Sequence, residues 1–234
     1  ITTKMAEDAR LIHETSPLAT HLLGRALTGT GLMGLMLREP GFKVTLQFKG
    51  DGPAQQVLCT ASSDGAVKGY IVNPNVDLPV RSDGSPDVGG ALGIGTITCI
   101  RDTGMKEPYV GRIDLVSGEI ADDMTAYFFI SEQQQTSVSL GVKLSEDGAV
   151  EAAGGLIIQM LPDAGEEAVQ ALENWLPKMP KITELVSQVM ENAGAKSVGT
   201  LMKELIGEAF SGLPEEFEVS PMDLLDIGWQ CDCS

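Results

Sequence analysis

The residues of this chain able to do chemistry are few, and the most telling lie at its end. Trp229-Gln230-Cys231-Asp232-Cys233-Ser234 places two thiols one residue apart. As thiolates such a pair can hold one soft cation, and on oxidation it can close a small strained disulfide. A tetrahedral zinc needs two further ligands. Cys59 and Cys99 stand alone inside strand-like runs, and His13 and His21, the only imidazoles, flank the Ser16-Pro17 break, so none of these four is in a context to complete the set. On residues alone Cys231 and Cys233 read either as half of a metal or redox site or as an incidental pair.

Other motifs reduce to packing. Gly29-Thr30-Gly31-Leu32-Met33-Gly34 matches a dinucleotide-binding pattern but falls inside a helical run instead of after a strand. No Ser-His-Asp or HExxH arrangement surrounds the histidines. Asp122 and Asp123 are adjacent, which on a helix points them about 100° apart, so capping suits them better than sharing a proton. Cys59 and Cys99 read as small hydrophobic packing groups.

The elements that must position these residues belong to a folded chain of 234 residues, 43% hydrophobic, with 27 Gly and 5% aromatics, which points to an aliphatic, tightly turned, sheet-rich core. A net charge of -17, with no cluster of Lys and Arg, excludes nucleic acid as a ligand. The charge is uneven: residues 163–234 hold 14 acids and 4 bases, and residues 1–162 hold 19 and 12. Leu18 to Leu37 is long and apolar, but Arg25 and His21 within it, and four glycines, favour an enclosed helix over a membrane span. The opening Ile1-Thr2-Thr3, with no Met and no secretory region, is read as a chain missing its true beginning. Four cysteines in this length form no disulfide scaffold and suit a reducing compartment.

An amphipathic first helix buries Met5, Ala9 and Ile12, and a second follows from Ser16 as N-cap and Pro17 at N1 to the stop at Pro40-Gly41. Thr20, Gly24, Thr28 and Gly31 form a small-residue stripe that admits close neighbours. Strand alternation begins at Phe42-Val44-Leu46-Phe48, continues over 54–62 and 66–73 around Asp64-Gly65, and returns near 94–101, 109–116, 137–144 and 149–159. The stretch 75–90 reads as loop, Ser117 as the cap of a helix over 119–130, and 164–176, 181–192 and 197–210 as helices. The expectation is an α+β core over 1–162, an acidic helical linker over 163–228, and a short terminal segment over 229–234.

Several runs, taken in order, resemble one family. They are Leu23-Gly24-Arg25-Ala26-Leu27-Thr28, Gly50-Asp51-Gly52-Pro53, Gly69-Tyr70-Ile71-Val72-Asn73-Pro74, Val116-Ser117-Gly118-Glu119-Ile120, Ser131-Glu132-Gln133, Ala152-Ala153-Gly154-Gly155 and Cys231-Asp232-Cys233-Ser234. Together they are similar to heat shock protein 33, a redox-regulated bacterial cytoplasmic holdase, from about residue 20 to 234. The resemblance implies a layered β/α/β core with two sheets around a buried central helix, a helical linker resting on it, and a zinc module of which residues 229–234 are a remnant. It implies that a CxC pair and a downstream CxxC pair bind one zinc when reduced, that Cys231 and Cys233 are the first two metal ligands and one oxidisable disulfide pair, and that oxidation frees the metal. Module and linker then unfold, and the protein holds unfolded clients without ATP. The downstream pair and the family's opening strand fall outside this sequence, so holding activity independent of redox state is expected of the chain as it stands. A homodimer on activation and a cytoplasmic location follow from the resemblance; no enzymatic activity, nucleic acid or membrane is expected.

Two other classes remain open. A thiol-disulfide oxidoreductase using Cys231 and Cys233 needs a thiol of lowered pKa, whereas an acidic tail raises it. A metal-binding interaction domain without switching would keep its zinc under peroxide.

Overall fold

The structure, a computed structural model, describes residues 1–161, 164–192, 198–213 and 225–230. Two N-terminal helices, α1 (Thr3–His13) and α2 (Pro17–Leu35), meet at a short break, where the Ser16 hydroxyl accepts the Ala19 N–H at 3.2 Å and Pro17 takes the first helical position. α1 buries Met5, Ala6 and Ala9. Ile12, expected on that face, is 58% exposed: periodicity locates a face, and here the cover ends before the last turn.

Fourteen residues of α2 are buried, and the helix lies against both sheets of the fold. The larger sheet runs in the order β5-β4-β1-β2-β3-β8, from β1 (Lys43–Gly50), β2 (Gln56–Ser62), β3 (Ala66–Ile71), β4 (Gly95–Asp102), β5 (Tyr109–Asp114) and β8 (Gly228–Trp229). Period-2 alternation puts Val44, Leu46 and Phe48 on its inner face, and antiparallel register sets Cys59 and Cys99 opposite Leu46 from either side. The turn into β3 uses Gly65 at φ 86°, which a side chain rarely adopts. The smaller sheet pairs β6 (Thr136–Leu144) with β7 (Val150–Gln159).

The small residues of α2 serve two surfaces. A methyl on Gly24 would meet Val142 of β6 at 2.9 Å, and one on Gly155 of β7 would meet Thr28 at 2.9 Å; Gly34 instead lies against Ala61 of β2. The expected stripe is thus divided between layers, and the Gly29-Gly31-Gly34 run is packing within a helix. Helix α3 (Val88–Leu92) occupies part of the stretch read as loop; Asp87 caps it by accepting the Gly90 N–H at 2.9 Å. Helix α4 (Ile120–Ser131) starts one residue after Glu119, with the Ser117 hydroxyl accepting the Glu119 N–H and buried Asp123 reaching back to the N–H groups of Val116 and Ser117 at 2.7 and 3.2 Å. Glu119 joins Arg25 of α2 to Arg81 at 2.8 Å each, tying the central helix to this region. Three further helices, α5 (Glu166–Trp175), α6 (Ile182–Glu191) and α7 (Val198–Ala209), precede β8. The layered α+β architecture is the one expected.

Burial beside Arg25 holds the His21 imidazole down at about 4, below its ordinary 6.5. An unfolded chain protonates it near 6.5, so its contribution to stability is complete above that pH and is lost as pH falls through about 4. His21→Gln is expected to remove about 2–3 kcal/mol of the stability lost between pH 7 and 4.5. Urea titrations of both proteins at the two pH values measure it, and equal pH dependence in both refutes it.

Candidate functional site

Cys231 and Cys233, the predicted ligands and redox pair, lie outside the described residues, as do parts of the segments before them. What can be followed is the path that delivers them. Residues 225–230 return to the core and lay β8 parallel to β3, pairing Ala66 with Gly228 and Val67 with Trp229. The Gly228 N–H donates to Gly65 O at 3.1 Å and the Gln230 N–H to Val67 O at 2.9 Å. The next carbonyl along β3, Gly69 O, accepts from His13 Nε2 at 3.0 Å, and the His13 ring meets Trp229 edge to face at 5.6 Å. In the sequence His13 reads as a surface or packed residue and this segment shows no strand pattern; the apolar-Gly-apolar spacing of Ile227 and Trp229 is its only signal.

The remaining metal and redox candidates are dispersed. Cys59 and Cys99 are buried free thiols in β2 and β4, as their strand contexts indicate. Burial pushes both thiols up, away from the reactive thiolate, against smaller opposing effects of the Thr30 hydroxyl on Cys59 and the Tyr127 hydroxyl on Cys99. His21 faces Arg25 on α2, far in kind from a metal-ligand setting. No group of three or more His, Cys, Asp or Glu suited to a metal occurs among the described residues.

The second feature is a helical layer over the small sheet. α6 buries Leu185, Val186 and Val189, and it comes close because β6 and β7 offer glycines: methyls on Gly141 and Gly154 would meet Thr183 at 2.7 Å and Val186 at 2.9 Å. α7 packs on α6, and a cavity of about 50 Å³ remains between them and β7, bounded by Leu156, Leu185, Leu205, Ile206 and Phe210. Trp175 closes α5, 3% exposed and stacked on Phe210 with centroids 4.9 Å apart and planes at 10°. Its indole N–H is buried with no acceptor among the described residues.

The layer is thinly anchored. Trp175 is the only wholly buried residue of α5 and Ala209 the only one described in α7; Leu201, Leu205, Ile206 and Phe210 are half-buried. Each fully buried aliphatic or aromatic side chain contributes about 1.5–3 kcal/mol, so α5 and α7 hold on by little beyond one stacked pair. Beside them, Phe129 and Leu161 are 66% and 73% exposed, and a groove of about 290 Å³ runs between α4, the small sheet and α5 past Phe129, Ile158, Met160 and Leu172. Thr125, Gln135, Thr136, Ser137 and Glu173 supply polar groups among these apolar side chains.

No helix among the described residues is long and apolar enough to cross a membrane. Residues 1–234 match the family model described as Hsp33 protein. The 33 kDa chaperonin of Ruminiclostridium cellulolyticum is 40% identical over 234 residues, all of this chain and 75% of that protein. The 33 kDa chaperonin of Clostridioides difficile is likewise 40% identical over 234 residues, with the same coverage. Among solved structures, the 33 kDa chaperonin (heat shock protein 33 homolog) of Thermotoga maritima superposes with a TM-score of 0.83 at 35% identity, over 99% of this chain and 74% of that one.

Proposed function

The chain belongs to the Hsp33 protein family, a family of chaperones, and from that membership we propose that it is an ATP-independent holdase governed by thiol oxidation. The observation that carries the proposal is the thinly anchored helical layer, an apolar cover resting on an apolar sheet. In this reading residues 1–162 are the client-holding core, 163–228 a linker that releases, and 229–234 part of a zinc module. Zinc on four thiolates is worth on the order of 10 kcal/mol, as much as a domain's stability, so its loss melts what it holds. Peroxide takes two electrons from Cys231 and Cys233 as their thiolates join in one S–S bond, and is itself reduced to water. The linker's 9 excess negative charges then favour its expansion. Unfolded proteins are the partners, a homodimer the activated form and the cytoplasm the location; no enzymatic step is involved.

A protein carrying Cys231, Cys233 and a second thiol pair is expected to suppress light scattering from a denatured client only after oxidation, with release of zinc. No suppression in any sample would defeat the holdase reading, and catalytic reduction of insulin would replace it with oxidoreductase chemistry.

A further inference from the structure

Resting on the chaperone reading, we propose that the outer edge of β3 is a docking site for an extended segment of a non-native protein, and that the chain's own residues 226–230 occupy it as an internal substitute. The occupant shows what fits. It is extended, joined through main-chain N–H groups to Gly65 O and Val67 O, and it points two large apolar residues, Ile227 and Trp229, into the core with glycine between them. Main-chain bonding of this kind ignores sequence, while apolar seats at alternate positions select extended nonpolar chains.

The seat is shaped for such an occupant. Ile227 stands over Gly31 of α2, where any side chain would collide with it, and close to Val67. Gly65 leaves room for the Asp226 carbonyl. Trp229 rests against His13, whose Nε2 in turn covers Gly69 O, so the carbonyls of Gly65, Val67 and Gly69 each have a donor. An edge strand left bare templates pairing with another chain, and this one is guarded by a two-residue strand and the His13 ring. β3 spans six residues, Ala66–Ile71, of which β8 pairs with Ala66 and Val67. A longer incoming strand that displaces His13 from Gly69 O gains a pairing that β8 lacks, and it does so where the thiol pair begins one residue beyond Gln230. Anything that pulls on Cys231 therefore pulls on the guard.

The test uses this full chain, the double variant Ile227→Ser/Trp229→Ser, and a fluorescent hexapeptide of sequence Leu-Asp-Ile-Gly-Trp-Gln as probe. The double variant is expected to bind the peptide at least tenfold more tightly than the parent, and a peptide with Ser in place of Ile and Trp is not expected to bind. Adding Gly31→Ala, which favours the helix while filling the Ile227 seat, is expected to weaken peptide binding at least fivefold with an unchanged far-UV spectrum. Equal peptide affinity in parent and double variant overturns the proposal, as does binding indifferent to Gly31→Ala. So does a concentration-dependent dimer of the double variant that excludes the peptide, which would assign the edge to a second copy. Client aggregation measured on the same samples separates the two readings. Suppression without peptide binding removes the docking site alone, and absence of suppression throughout removes the chaperone reading.

Discussion

Trp175→Ala is expected to raise client holding and protease sensitivity of residues 164–213 while leaving the unfolding transition of the core in place. A buried Trp→Ala change costs about 3–5 kcal/mol, and losing the unpaired indole N–H returns about 1–3 of that. The remainder, about 2 kcal/mol, falls on two helices held by little else, since Phe210 loses its stacking partner and α5 its one wholly buried side chain. Trp175→Phe keeps the stack and discards the orphan N–H, so it should be neutral or slightly stabilising. Limited trypsin digestion, dye binding to apolar surface and light scattering of a denatured client read the effect. Identical digestion and holding in the alanine variant and the parent would show that the stack does not fasten the layer.

Leu27→Ala is expected to do the opposite, lowering the stability of the whole molecule. Leu27 is fully buried in the helix that touches both sheets. The cavity and lost transfer energy amount to about 3 kcal/mol, and at about 2–4 °C per kcal/mol for a chain of this size the melting temperature should fall by roughly 6–12 °C. Because one helix belongs to both layers, calorimetry should show a single shifted transition. Two transitions, of which only one moves, would mean that the sheets melt independently.

The different reach of these two changes matches what could be read in advance. The central helix was legible because Ser16 and Pro17 start it and its apolar residues leave no polar face, although it ends at Leu35, ahead of the stop expected at Pro40-Gly41. The strands were legible because turns such as Asp64-Gly65 bound clean alternation, and the cysteines inside them could be taken as packing groups. Helix α3 was hidden by Gly89 and Gly90, poor helix formers that succeed there because Asp87 caps the turn. The Trp175–Phe210 stack joins residues far apart in sequence, which no local period reveals. β8 is too short for alternation to register, and its partner β3 lies some 160 positions earlier, as the pairing of Val67 with Trp229 shows. The predicted ligands Cys231 and Cys233 lie outside the described residues, so their role rests on family likeness and residue chemistry.

The burial of Cys59 and Cys99 has a practical corollary for anyone handling this protein. A mild alkylating agent meets neither thiol while the core is intact, because both are enclosed and held in their protonated form. Their slow modification therefore times whole-molecule opening, while any rapid labelling counts sulfur at the tail. One mass spectrum taken over a time course thus carries a clock for the interior and a tally for the terminus.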